Sequence, residues 1–325
     1  MRVLVTGGSG YIGSHAVRDL AAAGHEVVIL DNLSTGNPAL AKGFRLVQGD
    51  IADRELLKSL LADVDAVMHF AASAYVGESV SNPRKYFHNN VESALLLMDS
   101  VLESSVRQFV FSSTCATYGI PDKLPITETS HQKPINPYGV TKLFFEDVLS
   151  AYSVAHGLRY VALRYFNAAG AHPNGEIGEI HHPETHLIPL TLKAALGTAP
   201  PLTVFGKDLD TPDGTCIRDF IHVSDLATAH TAAVAYLENG GASTAINLGT
   251  GKGTSIAELL AIVEEVSGKP VPHVYAAPRA GDPPALYSDP SKAKEVLGWK
   301  SKYDIRDIIE TAYQWELKLP SFLAQ

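Results

Sequence analysis

Two side chains four residues apart, Tyr138 and Lys142 in Asn136-Pro137-Tyr138-Gly139-Val140-Thr141-Lys142, are the pair in this sequence best suited to moving a proton. Asn136 suits an N-cap and Pro137 the first helical position, so the spacing predicts a helix carrying both side chains on one face. A tyrosine hydroxyl ionises at about 10, too high for a general base at neutral pH, and a neighbouring ammonium favours the phenolate. Taken alone, Tyr-x-x-x-Lys is common on surface helices. The apolar run Gln108-Phe109-Val110-Phe111, ending in Ser112-Ser113-Thr114, adds a strand that delivers hydroxyls to the same chemistry.

A second concentration of function lies at the start of the chain. The run Arg2-Val3-Leu4-Val5-Thr6 reads as a strand, passes into Gly7-Gly8-Ser9-Gly10-Tyr11-Ile12-Gly13, and continues as a helical pattern to near Gly24. Such a turn points the unpaired N–H groups and the positive end of the helix dipole at a bound pyrophosphate. Gly7, Gly8 and Gly10 permit the tight turn and close backbone approach, and Gly13 lets the helix lie against the strand. The next apolar run, Glu26-Val27-Val28-Ile29-Leu30, ends in Asp31, about twenty residues on, where a carboxylate can accept from ribose hydroxyls. No Lys or Arg stands between Asp31 and Lys42 to receive a 2′-phosphate, so NAD is expected rather than NADP. An oxidised nicotinamide beside Tyr138 would add to the effect of Lys142, which can also hold the nicotinamide ribose.

These two sites require a doubly wound parallel α/β sheet of the Rossmann type. A short helix follows Asn32-Leu33-Ser34-Thr35-Gly36-Asn37-Pro38, then a strand at Phe44-Arg45-Leu46-Val47-Gln48 closing in Gly49-Asp50-Ile51. Asp50 and the Ile51 N–H are candidates for an adenine edge; capping of the next helix is an equal alternative for Asp50. A helix over about 53–61 precedes the strand Ala66-Val67-Met68-His69-Phe70, which ends in the small residues Ala71-Ala72. His69 reads as a core histidine with a satisfied partner. Asn89-Asn90 is expected to begin a long helix through Ala94-Leu95-Leu96-Leu97.

Composition narrows the partners. The 325-residue chain carries a net charge of -9, with a pI near 5.8, and no basic cluster that could track a nucleic-acid backbone. No apolar run is long enough to span a bilayer, and the first strand begins at residue 2, so the chain reads as cytoplasmic. Cys115 and Cys216 lack metal-like spacing and read as small packing residues. His181-His182-Pro183-Glu184-Thr185-His186 has metal-like residue types. Pro183 argues against one helical face presenting both His182 and His186, and no other ligands accompany them, so no metal is expected.

The motifs Thr6 to His15, Asp31-Asn32-Leu33-Ser34, Gly77-Glu78-Ser79-Val80 and the Tyr138–Lys142 pair resemble the extended short-chain dehydrogenase/reductases. Arg164-Tyr165-Phe166-Asn167-Ala168-Ala169-Gly170-Ala171 and Gly214 to Val223 narrow the resemblance to the UDP-glucose 4-epimerase family, which it follows to about Trp299. The resemblance implies NAD contacts from Gly7, Gly10, Tyr11, Ile12, Gly13, Asp31, Asn32, Leu33, Ser34, Thr35, Gly36, Asp50, Ile51, Phe70, Ala71, Ala72, Asn89, Ser112, Tyr138, Lys142 and Phe166. It implies a Tyr138 base, a Thr114 that holds the sugar O4, and a Lys142 that tunes Tyr138. Around the UDP-sugar it implies Asn167, the loop residues His186 and Leu187, the strand Thr203-Val204-Phe205, the diphosphate arginines Arg218 and Arg279, and Leu286 of Gly281-Asp282-Pro283-Pro284-Ala285-Leu286 at the far wall.

Two departures stand out: Ala74, where many members have a lysine, and Thr114, where serine is more frequent. The division expected is a cofactor domain over 1–168, to which about 216–248 returns, and a smaller α/β substrate domain over 169–325. The family further implies a homodimer through helices near 90–103 and 139–155. Dehydratase and decarboxylase relatives need an acid directly after the threonine, where this chain has Cys115 and Ala116. The remaining alternatives are a UDP-pentose epimerase and a silent NAD-sensing regulator, though a sensor has no need of the Tyr-Lys pair.

Overall fold

The structure, a computed structural model, describes every residue except Ala280, Gly281 and Gln325. In its first half the strands are β1 (Arg2–Thr6), β2 (Glu26–Asp31), β3 (Arg45–Gln48), β4 (Ala66–His69), β5 (Gln108–Thr114) and β6 (Arg159–Tyr165). The helices among them are α1 (Tyr11–Ala22), α2 (Arg54–Leu61), α3 (Val76–Ser81), α4 (Pro83–Phe87), α5 (Ser93–Glu103) and α6 (Pro137–His156). The second half contributes β7 (Asn167–Ala169), α7 (Leu187–Leu196), β8 (Leu202–Phe205), β9 (Ile217–Arg218), β10 (Phe220–His222), α8 (Val223–Glu238) and β11 (Thr244–Leu248). It closes with β12 (Thr254–Ser255), α9 (Ile256–Ser267), β13 (His273–Ala276), β14 (Ala285–Leu286), α10 (Ser291–Leu297) and α11 (Ile305–Leu323).

Seven parallel strands form the main sheet in the order β11-β6-β5-β4-β1-β2-β3. Its strands read as continuous apolar runs because both faces are covered. Along β1, Val3 and Val5 enter the core shared with α1 and α8, where Leu20, Leu226 and Ala233 are buried. Leu4 enters the opposite core with Leu57 and Leu61 of α2, Leu97 of α5 and Phe145 of α6. The strand order reverses between β1 and β4, so a crevice opens over their carboxyl ends, beside the glycine turn. Residues from β11 rejoin this sheet beside β6, with Leu248 opposite Tyr165.

The rest of the second half builds its own core of Leu192, Leu202, Val204, Leu259, Val263, Ile308 and Ile309. Among the described residues three small sheets, β10-β7, β13-β8 and β12-β9-β14, stand beside the main one. No helix among the described residues is long and apolar enough to cross a membrane.

Four differences from the expected elements stand out. The helix leading to α5 begins at Pro83, capped by the Asn82 side chain, and not at Asn89; Asn82-Pro83 is the stronger start signal. Asn89 and Asn90 lie instead in a wide turn over His88–Glu92 that joins α4 to α5. Asp53 caps α2 through the Leu56 N–H, which removes helix capping from Asp50. The sequence reading placed no strand at Arg159–Tyr165, where arginines and tyrosines interrupt the apolar pattern, and no helix beyond Trp299, where α11 runs.

Candidate active site

The glycine turn is a cradle that side chains would fill. Gly7 has φ +73°, and a Cβ on it would lie 2.6 Å from the Ala71 nitrogen; one on Gly13 would lie 2.3 Å from the Gly7 carbonyl. Gly10 caps α1 with no side chain, and the first helical bond runs from the Ser14 N–H to the Gly10 carbonyl at 3.0 Å. The N–H groups of Tyr11, Ile12 and Gly13 therefore point out of the helix end, where an anion suits them. Asp31 accepts from the Ser9 N–H at 2.9 Å and from the Leu33 N–H at 2.9 Å, so its carboxylate is oriented at the rim of the turn. Burial holds its pKa above the usual value. A Cβ on Gly36 would meet that carboxylate at 2.8 Å, which closes the loop Asn32–Gly36 over it. The Asn32 amide donates to Asp50 at 2.9 Å and ties the third strand's end to the same rim. Ile51 is buried behind it. These features fit a dinucleotide: backbone donors for the pyrophosphate, an oriented acid for the ribose, and small residues Ala71 and Ala72 after β4.

Thr114, Tyr138 and Lys142 meet at the carboxyl end of β5. Helix α6 is capped by Asn136, whose side chain accepts from the Gly139 N–H at 2.8 Å. Gly139 lets the helix touch the turn after Thr114, since a Cβ there would lie 2.6 Å from the Ala116 carbonyl. Lys142, only 3% exposed, donates to the Ser112 carbonyl at 2.8 Å and lies 5.9 Å from the Tyr138 ring centre. Ser112 shares a 2.6 Å hydrogen bond with the Tyr165 hydroxyl.

Burial pushes the Tyr138 phenol well above 10, an effect the Thr114 hydroxyl partly offsets. Desolvation lowers Lys142 to about 7, with Glu146 opposing. Lys142 by itself therefore does not bring Tyr138 into the neutral range. The sequence reading counted the ammonium's attraction and missed that both groups are stripped of water.

Several residues that sequence reasoning passed over hold this corner. Asn90, rather than Asn89, is the buried link: its amide donates to the Ser73 carbonyl at 2.9 Å and to Thr141 at 3.1 Å, and accepts from the Ser73 N–H at 2.8 Å. Asn89 donates to Asn90. Glu146, one turn beyond Lys142, takes a hydrogen bond from Ser113 and pairs with Arg164, both partners being buried. Arg164 also reaches Tyr118 at 2.9 Å, whose hydroxyl donates to Asn247 at 2.7 Å. Arg164 stood inside a quoted motif, and Glu146 at i+4 from Lys142 was the available signal.

The substrate-side residues gather less completely. Leu286 packs against the cluster of Tyr118, Ile126 and Phe166, which Cys115 also joins. Arg279 lies over the Phe205 ring at 4.0 Å, joining two expected contacts. Thr203 is exposed, whereas Val204 is buried and offers a ligand only its backbone. Asn167 donates to the Asp219 carbonyl at 3.0 Å and is held in β7. Arg218 forms a 2.6 Å ion pair with Asp282, a partner brought close by β14 running beside β9. Gly281, quoted beside it, lies outside the described residues. His186 precedes α7, whose first residue is Leu187, and its ring contacts the Glu179 carboxylate. Phe70, just after β4, sets its ring tilted against His230, centroids 4.7 Å apart.

Comparison with known proteins agrees with this geometry. Residues 3–249 match the NAD dependent epimerase/dehydratase family. The chain is 51% identical over 315 residues, 96% of each chain, to the UDP-glucose 4-epimerase of Rhizobium meliloti. It resembles the crystal structure of UDP-glucose 4-epimerase from Brucella ovis in complex with NAD, with a TM-score of 0.95, 52% identity and 99% and 98% of the two chains covered. The UDP-Glc/GlcNAc 4-epimerase of Campylobacter jejuni follows with a TM-score of 0.86, 40% identity and 98% and 99% coverage. The match to the family over residues 3–249 and the similarity to these proteins over nearly the whole length, in a chain whose parallel sheet carries a glycine cradle, an oriented acid and a buried Tyr-Lys-Thr corner, place it in the NAD dependent epimerase/dehydratase family, among its UDP-glucose 4-epimerases.

Proposed function

We propose that this chain interconverts UDP-hexoses that differ at C4, UDP-glucose with UDP-galactose, through a transient 4-keto sugar. The meeting of Thr114, Tyr138 and Lys142 at the crevice carries this reading. NAD, when bound, would supply the oxidised nicotinamide that accepts the C4 hydride and gives it back, and a positive charge that favours the phenolate. Gly7, Gly10, the first turn of α1, Asp31 and Lys142 would hold it. Tyr138, once ionised, takes the proton of the sugar 4-hydroxyl and returns it, while Thr114 holds O4 and relays the proton. Lys142 orients the ribose and, fixed by the Ser112 carbonyl, keeps its charge near the phenol. The sugar turns within the pocket between the two half-reactions, which needs room and few fixed contacts around the ring.

Rival reactions that require an acid after Thr114 lack one here. Burial pushes the Cys115 thiol up to about 12, and Ala116 has no proton to give. Leu286, in an apolar wall with Phe166 and Tyr118, leaves space for a 2-acetamido group, so UDP-N-acetylglucosamine and UDP-N-acetylgalactosamine belong to the substrate range. The reading places the boundary between cofactor and substrate domains at 168/169 and the protein in the cytoplasm. It makes the active form a homodimer through α5 and α6, where Val140 and Phe144 expose apolar side chains one turn apart. The deciding experiment incubates purified protein with UDP-galactose, UDP-N-acetylgalactosamine and a UDP-pentose and follows each C4 epimer. Conversion of the hexoses with no added cofactor is expected, and bound NAD on extraction. Turnover of the pentose alone, or extraction of NADP, would overturn the assignment.

A further inference from the structure

We propose that Glu179, His181, Glu184 and His186, in the loop between β7 and α7, form a binding site for one divalent transition-metal ion of the zinc class. The four residues follow the spacing Glu-x-His-x-x-Glu-x-His, and their donor atoms all lie within 4.8 Å of one another. Zinc takes four imidazole and carboxylate ligands at about 2.0–2.2 Å in a tetrahedron, which sets the donors roughly 3.4 Å apart. The existing arrangement is within a small side-chain rotation of that geometry.

The contacts have the form of ligands facing a common point. His181 Nδ1 lies 2.9 Å from Glu179 Oε1 and 4.0 Å from Glu184 Oε1, and His186 Nδ1 meets the same Glu179 oxygen. Despite that proximity, His181 Nδ1 is buried and makes no aligned hydrogen bond. Buried polar atoms rarely stay unpaired, so a nitrogen close to two carboxylates yet misaligned with both marks a missing partner between them. The Glu179 and Glu184 side chains are only 5% and 8% exposed. Two largely buried carboxylates facing two imidazoles supply four donors of the kinds that such an ion takes.

The surroundings hold the donors in place, as outer-shell partners of a metal do. The Glu179 carbonyl accepts from Trp315 Nε1 at 2.8 Å, which fixes the backbone to α11. Glu184 accepts from the Thr185 and His186 N–H groups at 2.7 and 2.8 Å, which orients its carboxylate. Tyr11 and Tyr75 set their rings edge-on to His181 at 6.2 and 5.6 Å. The expectation of no metal rested on a helical face and on missing ligands. The segment is a loop, His181 rather than His182 turns inward, and Glu179 supplies the ligand that the motif lacked. An ion here would tie His186, at the start of α7, to Glu179 and His181 earlier in the same loop, independently of which sugar the enzyme accepts.

The test uses the full chain, stripped with a chelator, loaded with Zn²⁺, desalted and measured by elemental analysis, with affinity from competition against a chromophoric chelator. We expect about one Zn²⁺ per chain and a higher melting temperature that a chelator reverses. His181→Gln and Glu184→Gln should each weaken binding by roughly 100-fold, whereas His182→Gln should bind as wild type does. Circular dichroism of each variant separates lost ligands from lost fold. The proposal is overturned if stripped wild type takes up no stoichiometric Zn²⁺, if folded His181→Gln binds as tightly as wild type, or if His182→Gln loses the ion equally.

Discussion

The corner around Tyr138 and the loops beyond residue 169 face the same crevice but are built on different terms. In the corner every polar group is anchored from behind: Lys142 on the Ser112 carbonyl, Thr141 on Asn90, and Glu146 on Ser113 and Arg164. Those anchors belong to β5, β6 and the turn His88–Glu92, and β5, α6 and β6 pack through Phe111, Phe145 and Leu163 into the two cores of the main sheet. On the substrate side, Arg279 stacks on Phe205 from an exposed position, Arg218 is engaged by Asp282, and Leu286 belongs to a two-residue strand. Reaction geometry is thus built into the core, where it is rigid. Substrate choice is left to short segments that can change without unfolding the sheet.

That contrast can be broken most directly at Tyr138. Tyr138→Phe should cut turnover by about 10² to 10⁴ while bound NAD and melting temperature stay near wild type, as proton transfer is lost and packing is kept. Retention of near-normal kcat would show that the corner does not carry the proton.

Next is the buried pair behind it. Glu146→Ala leaves Arg164 unpaired in the interior and should destabilise the fold by roughly 3–5 kcal/mol in denaturant titration. A loss below about 1 kcal/mol, the range of exposed pairs, would mean that the corner is held no more firmly than the loops.

Acid offers a third probe of the core. Burial holds His15, His69 and His222 at about 3, well below the ordinary 6.5. Below 6.5 the unfolded chain binds protons that the folded one does not. Stability is therefore complete above that pH and falls as pH drops from about 6.5 towards 3, by up to about 1.4 kcal/mol per histidine per pH unit. Thermal melts at pH 7.5 and pH 5 should show this decline, and His69→Leu should shrink it.

The smallest effect sharpens the substrate side. Leu286→Tyr should suppress the N-acetylated pair relative to UDP-galactose by roughly 1–3 kcal/mol in kcat/KM, the limit for a steric wall, with no change in stability. Equal loss of both pairs would remove Leu286 as the gate.

How far these features were legible depends on the distance over which each is encoded. The turn at Gly7 to Gly13, the acid at Asp31 and the shared face of Tyr138 and Lys142 are set within a helical turn or one strand-helix unit. Backbone sterics and side-chain period act at that range, so the sequence alone determined them. The same local rules misplace Asn89 as a helix start only because Asn82-Pro83 states that start more strongly. Tertiary structure alone decided that Asn90 binds Ser73 and Thr141, that Glu146 meets Arg164, that Arg218 is taken by Asp282, and that Glu179 joins His181 and His186. Most of these partners lie far apart in the chain. Most are buried polar groups that must find partners, and which groups are brought together follows from how the elements pack, not from any local pattern.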